Sequence, residues 1–568
     1  MKRKWREEKK SRKKKILEML IITRILNTMK AMNAFIWRLP KMPVVKIAKT
    51  YEVSKITAIL TLVGFLMGLE VPSLATFLTN KTFNEYFRYP TPLQQGLLMG
   101  ATPLGGILGC LIYCVMNDKF SRIYQFQMGI IVWNIVTLLN FCIWNLLGLL
   151  ICRVVKGMIL GNFSILVASY ANEVIPRDKR GSTMSYIQLC LTIGILVMHY
   201  LCIALSLWDS HFAFRVAWCV GIIPGIVFWV ASCALPESYH WLVLHGQMSK
   251  AQEIQHNLAK KFNESQPRDA VPEMSKIELA GDFWIGVNDL NFCKKLPRGS
   301  LKPLILGMTL QLLIQFSGIN IILGYITYIC EIVGLDGNVK LFTSSIPYFI
   351  NMVLSLLPIT FIDYTSRKLI TLLGGFPISG LLITIGALFV KYGQDTKPID
   401  GNKSLVWSIG ENPFVGGWIL TLCFLIVGIF AMSLSSIPWI YTNEMLPSRV
   451  KVKGFAICVT FGWLGNFILT FLCPVMIEML KGTTFIIFGS LTFLISLIVL
   501  IWFPETKGMS MEDIDNFFEF ENKENTNLHE EKSIKTPDLN FNVDSARSSE
   551  GVESHKPIQL KSDEEMII

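Results

Sequence analysis

Glu70 lies inside a long apolar run, "FLMGLEVPSLATF". There a carboxyl group costs about 2.5–3.5 kcal/mol on insertion scales, so it marks a pathway, a relay or a partner by default. Five carboxamides, Gln188, Gln315, Asn320, Asn351 and Asn466, share that kind of apolar setting. An amide both donates and accepts. Several of them beside aromatic surface (Tyr325, Trp439 and Trp463) suit a small solute with many hydroxyls and an apolar face. The alternative is a set of polar ties between helices, worth about 0.6–2 kcal/mol each. Other chemistry has little to build on. There is no phosphate-cradling glycine loop, no Ser/His/Asp arrangement and no metal-ligand cluster, and the seven histidines are scattered. All thirteen cysteines except Cys293 fall in apolar runs without paired CxxC spacing, which reads as small buried hydrophobes. No enzyme activity, metal or cofactor is expected.

The elements that must position these residues are membrane spans. The 568 residues are 52% hydrophobic and 17% charged, against about 25% charged in an average soluble chain. The net charge of +11 is concentrated in the first 15 residues, "MKRKWREEKKSRKKK", and in loops between apolar runs. That placement fits the positive-inside rule and attraction to anionic lipid, not nucleic acid. Runs of about 20 apolar residues occur near 56–78, 93–115, 125–144, 146–171, 182–205 and 214–235. After a polar break with a helical pattern ("SKAQEIQHNLAKKF"), six more follow near 303–330, 339–362, 369–391, 413–442, 453–474 and 482–503. The basic amino terminus shows no cleavable signal pattern, so the first span is expected to act as an uncleaved signal.

Three marks recur six spans apart. "DKFSR" (Asp118, Ser121, Arg122) matches "DYTSR" (Asp363, Ser366, Arg367), "EVIPR" (Glu173) matches "EMLPS" (Glu444), and "PES" (Glu237) matches "PET" (Glu505). An even offset means that both halves cross in the same sense, a parallel repeat. The termini and the central loop are then expected in the cytoplasm. The sequons at Asn80 and Asn402 fall in external loops, open to glycosylation, and the one at Asn263 stays inside. At the cytoplasmic ends, Asp118 with Arg122, Glu173 with Arg180, Asp363 with Arg367 and Glu444 with Arg449 read as charge pairs of an inner gate. Gly105 and Gly109, with Gly157 and Gly161, have the small-xxx-small spacing of closely packed helices.

With "CRVVKG" (152–157), "EVIPRDKRG" (173–181), "PES..WL" (236–242), "IQFSGIN" (314–320), "IPW" (437–439) and "PETKG" (504–508) added, residues 50–510 resemble the sugar porter family of the major facilitator superfamily. The animal facilitated glucose and trehalose transporter branch is the part of the family they look most like. The resemblance implies an all-α membrane protein with twelve transmembrane helices in two parallel six-helix repeats and a cytoplasmic helical linker. The expected division is a basic cytoplasmic segment (1–54), two bundles (55–235 and 303–503), a loop between them (236–302), and a mostly disordered tail (504–568). In such proteins the residues matching Gln188, Gln315, Asn320, Asn351 and Asn466 hydrogen-bond the sugar, and those matching Trp439 and Trp463 line it.

The chain departs from the family at Ile314 (a glutamine), Ser436 (a proline), Ser121-Arg122-Ile123, and Tyr239-His240. Glu70 matches the Asp of proton-coupled members, and Arg153 matches its arginine partner. Three readings of Glu70 follow: a fixed pair with Arg153, a proton-coupling site, or a pair with Lys156 or the outer surface. The segment 16–38 reads as an interfacial helix or a disordered tail, and "DEEMII" (563–568) resembles a sorting signal. The expected function is passage of a hexose or a disaccharide such as trehalose across the plasma membrane by alternating access, downhill. The alternatives are proton symport through Glu70 and Arg153, or a sugar sensor without transport. Expected partners are the sugar, the bilayer and, in the symport reading, protons. The sequence says nothing about oligomeric state.

Overall fold

The computed structural model describes residues 48–261, 300–395, 407–409, 412–447, 450–509, 513–514 and 516–518, apart from 79, 118, 207, 209 and 336. Asp118, Arg449, Asn263, Asn402, the segment 16–38 and the tail beyond 518 therefore lie outside the described residues.

Helices dominate because long apolar runs have no water to satisfy their backbone and must close their own hydrogen bonds. In order, the spans are Val53–Leu78, Leu93–Met116, Arg122–Phe141, Leu146–Val174, Asp178–Ser206 and Phe212–Ser232, then Leu301–Gly324, Val339–Phe361, Arg367–Tyr392, Pro413–Met445, Lys451–Cys473 and Thr483–Trp502. Eleven are apolar enough to cross a membrane by composition alone. The other, span 3, carries Gln125, Gln127, Asn134 and Asn140 among its 20 residues. The end where span 1 starts is called near, and the opposite end far. Several spans begin on side-chain caps. Thr91 forms a reciprocal capping box with Gln94, Asn145 caps span 4, and Asn412 caps span 10. The helix Met248–Lys261 forms where the linker pattern places one.

Three spans of the second half are interrupted. Span 7 breaks at Gly318, whose φ of 73° is open to glycine at no steric cost, and continues as Ile319–Gly324 and Ile326–Ile332. Span 8 breaks between Leu354 and Leu357, and span 10 between Met432 and Ile437. In the first half, span 1 is interrupted between Glu70 and Ala75 and span 6 between Cys219 and Ile222, while the helices of spans 2, 4 and 5 run unbroken for 25, 29 and 30 residues.

Packing repeats with the sequence. Span 2 packs on 4 as 8 does on 10, span 1 on 5 as 7 on 11, and span 3 on 6 as 9 on 12. The halves meet through spans 2 and 11 and, equivalently, 8 and 5. Spans 2 and 4 approach to backbone contact. A methyl group on Gly105, Gly109, Gly157 or Gly161 would run into the partner's backbone at Val154, Met158, Thr102 or Gly106. Large apolar side chains such as Leu138, Ile223, Phe342 and Leu373 remain exposed. On a protein with these spans they form the lipid-facing surface.

Candidate functional site: two clasps, a buried acid and a polar seam

At the near end, each repeated mark is part of one local structure. Ser121 caps span 3 by accepting from Tyr124 N at 3.2 Å, and Ser366 caps span 9 by accepting from Leu369 N at 3.1 Å. The following arginine reaches back to span 4 or span 10. Arg122 donates to Glu173 at 2.9 and 3.2 Å, and Arg367 donates to Glu444 at 3.2 and 3.3 Å. Each guanidinium also reaches the carbonyl five residues upstream, Asn117 O and Ile362 O. The acid of the third mark then accepts from the helix start: Glu237 from Arg122 N at 3.1 Å and Glu505 from Arg367 N at 3.0 Å. An anion there also meets the positive end of the helix dipole.

Glu173 and Glu444 thus find partners beyond the expected ones, and the expected pairs that involve Asp118 and Arg449 lie outside the described residues. Glu173 and Glu444 are held by Arg122 and Arg367, each from the neighbouring span, and so lie within one half. A planar guanidinium can meet a carboxylate with two parallel bonds, which favours the span-to-span geometry over a partner a few residues along the chain. Arg180 donates to Ile175 O at 3.0 Å. Asp363 accepts from Ser182 N at 3.1 Å, a contact between the halves, and a methyl group on the adjacent Gly181 would collide with it. Burial pushes the Asp363 carboxyl up, against the pull of Ser182 and Arg367. Burial likewise raises Glu237. For Glu505, burial is outweighed by donors from Ser366, Lys507, Arg367 and Lys368, which hold it below its usual range.

Two clasp residues were not anticipated. Tyr170 donates to Pro236 O at 2.6 Å and Tyr441 donates to Pro504 O. The signal was present as "YANE" (170–173) and "YTNE" (441–444). Tyr170→Phe and Tyr441→Phe should each lower stability by about 1 kcal/mol, read as similar drops in melting temperature. A loss in one half alone would refute the equivalence of the clasps.

Deeper in the first half, Glu70 is 4% exposed and meets two cations: Lys156 Nζ at 3.1 Å and Arg153 at 3.7 Å. Arg153 also donates to Ser73 Oγ at 3.3 Å, and Ser73 Oγ donates to Glu70 O at 2.7 Å. Lys156 sits 5.0 Å over the Trp133 ring. The fixed-pair reading with Arg153 and the one with Lys156 therefore describe one cluster.

Three of the amides, Gln315, Asn320 and Asn466, gather around the span 7 break. Asn320 donates to Gln315 Oε1 at 2.6 Å across the turn at Gly318. Tyr325 donates to Thr470 O at 3.1 Å, and Thr470 donates to Asn466 Oδ1 at 2.9 Å. Asn351 is 4% exposed and its Oδ1 has no partner. Trp463 reaches across the halves, its ring against Gly106 and its Nε1 donating to Ser164 Oγ at 3.4 Å. Gln188 is half-buried on span 5, and Trp439 is half-buried 6.5 Å from Phe455. Gln311, not singled out from the sequence, is 1% exposed and donates to Thr442 at 3.3 Å. At the far end the halves touch again through Tyr328 and Gln95 at 3.2 Å and Tyr200 and Ser345 at 3.2 Å. Asn80, the first sequon, caps Lys81–Tyr86 and donates to Ser206 O at 3.3 Å, so its Nδ2 is already engaged where a glycan would attach. Among the described residues, no cluster of His, Cys, Asp or Glu could hold a metal.

Two parallel six-helix halves, braced alike at one end and meeting at a polar seam, define a membrane transporter of the major facilitator type. The chain belongs to the Sugar (and other) transporter family, which matches residues 56–518. It is 89% identical over 540 residues to "Probable metabolite transport protein YFL040W" of Saccharomyces cerevisiae, covering 95% of this chain and 100% of that one. A high-affinity glucose transporter of Kluyveromyces lactis is 27% identical over 480 residues, 83% of this chain and 86% of its own. The solved structure of the proton:xylose symporter XylE bound to 6-bromo-6-deoxy-D-glucose superposes with a TM-score of 0.68 at 20% identity. It covers 82% of this chain and 98% of that one, a likeness of fold.

Proposed function

We propose that the chain carries a sugar, a hexose or a disaccharide, down its gradient across the plasma membrane by alternating access. The two bundles (55–235 and 303–503) act as the moving bodies, and the near end faces the cytoplasm. The observation that carries this reading is the polar seam. Gln315 and Asn320 pair across the span 7 break, Asn351 is buried with a free acceptor, and the Trp463 ring spans the halves. Such a surface offers both donors and acceptors with an aromatic face, which is what a pyranose presents in complement. The relation to a glucose transporter at 27% identity points to the same substrate class.

Downhill transport is favoured over symport by the surroundings of Glu70. Glu70 is committed to two contacts at once, Lys156 at 3.1 Å and Arg153 at 3.7 Å, so a cycle that released it would have to break both. The clasps brace each half, and contacts such as Asp363 with Ser182 close the near end between them. Lys and Arg at the near end, including Lys119, Lys179, Arg180, Lys302, Lys368, Lys451 and Lys453, support the orientation.

The test is uptake of labelled D-glucose and trehalose by purified protein in liposomes, with and without an inward proton gradient. Equilibration of either sugar, unchanged by the gradient, is expected and would also exclude a sensor without transport. Accumulation driven by protons would overturn the downhill reading, and no flux of either sugar would overturn the sugar reading.

A further inference from the structure

His199 lies on span 5, 2% exposed, and neither ring nitrogen has a hydrogen-bond partner. Its ring rests on Tyr348 of span 8, in the other half, with centroids 4.3 Å apart and planes at 36°. Tyr348 is fixed in turn, because its hydroxyl donates to Leu323 O in the short helix Ile319–Gly324 of span 7. One turn along span 8 is Asn351, with the unpartnered Oδ1 described above. On span 5, Gln188, Ile195 and His199 share one helical stripe, and that stripe leads from the mid-depth amides towards the far end. By helix rise His199 is roughly 10 Å, and Asn351 roughly 18 Å, from the far ends of their spans.

Three unpartnered polar atoms thus lie on spans 5 and 8, which pack on each other across the seam between bodies that must separate in the cycle. Each such atom costs about 1–3 kcal/mol when buried alone, and native structures rarely keep them unless something completes them. The described groups around His199 are neutral: Tyr348, Cys202 one turn along span 5, and the pair Tyr200 and Ser345. Among the described residues, no carboxylate contacts the ring. A neutral imidazole donates from one nitrogen and accepts at the other. A hydroxyl, which does both, is its complement, and the Tyr348 face supplies the apolar plate beside it.

We propose that His199 is a substrate-contacting residue that sets specificity: together with Asn351 it forms a far-side subsite for sugar hydroxyls. This rests on the sugar reading above. The subsite lies where a solute crossing the seam would pass between the amides and the far end. Its ligand is tied to the span 7 break through Tyr348.

The test is uptake of labelled D-glucose into liposomes, with competition by D-glucose and its 2-, 3-, 4- and 6-deoxy analogues. Wild type, His199→Phe and His199→Gln are compared. Wild type is expected to penalise one deoxy analogue. His199→Phe, which keeps a ring and removes both nitrogens, should raise the half-saturation concentration about tenfold. It should erase that one penalty while leaving the maximal rate within about twofold. His199→Gln should restore part of the discrimination. If His199→Phe keeps the wild-type half-saturation and deoxy ranking, the subsite is refuted while the sugar reading stands. If His199→Phe does not fold, His199→Gln decides, since an unchanged ranking overturns the proposal and a weakened penalty supports it. Absence of glucose uptake by the wild type would remove the sugar reading and the subsite together.

Discussion

Glu70→Gln is expected to cost about 3–5 kcal/mol of stability, seen as a collapse in folded yield and a lower melting temperature in detergent. Glu70, Arg153 and Lys156 are each 4% exposed or less, and one anion serves two cations. Removing that anion leaves both cations buried without a counter-charge. The interaction of Lys156 with the Trp133 face, worth about 2 kcal/mol when desolvated, cannot replace a full charge. The double variant Glu70→Gln with Lys156→Gln strands one cation instead of two and should recover part of the loss. A single variant that melts like wild type would refute the structural role. If it folded normally and lost only a response to a proton gradient, Glu70 would be a coupling group.

Gly157→Leu should be the second severe lesion. A methyl group at this position would meet Thr102 O and the Gly105 backbone, and backbone cannot rotate away as a side chain can. Overpacking with flexible neighbours costs about 1–3 kcal/mol, so a larger loss is expected here. Gly157→Ala should already be harmful, and Gly157→Leu should leave little monodisperse protein. Gly380→Leu is the control, because nothing lies within 4 Å of a methyl group at that position. Equal yields of the two leucine variants on size exclusion would show that spans 2 and 4 are not in backbone contact.

The span count and the duplication were legible because hydrocarbon demands long apolar runs and because three short marks recur at an even offset. Their physical meaning was not. Ser121 and Ser366 are caps, and Arg122 and Arg367 bind acids one span away, a choice that needs the bundle to be assembled. Arg153 and Lys156 are one turn apart on the same helix face, so spacing alone could not choose between them as partners of Glu70. The small-xxx-small pattern on spans 2 and 4 did specify a contact, since only close approach rewards four glycines at that spacing. The Gly318 break in span 7 was marked by "SG", whereas the second interruption at Tyr325 carries no such signal. His199 was one of seven scattered histidines until span 8 brought Tyr348 against it.

Both repeats carry interrupted spans among the described residues, 1 and 6 in the first half and 7, 8 and 10 in the second. Each interruption is a joint in an otherwise rigid rod: it frees main-chain carbonyls and amides from the helical ladder, so the chain can flex there and can also present backbone groups to cargo. A machine built this way keeps its bearings inside its own struts.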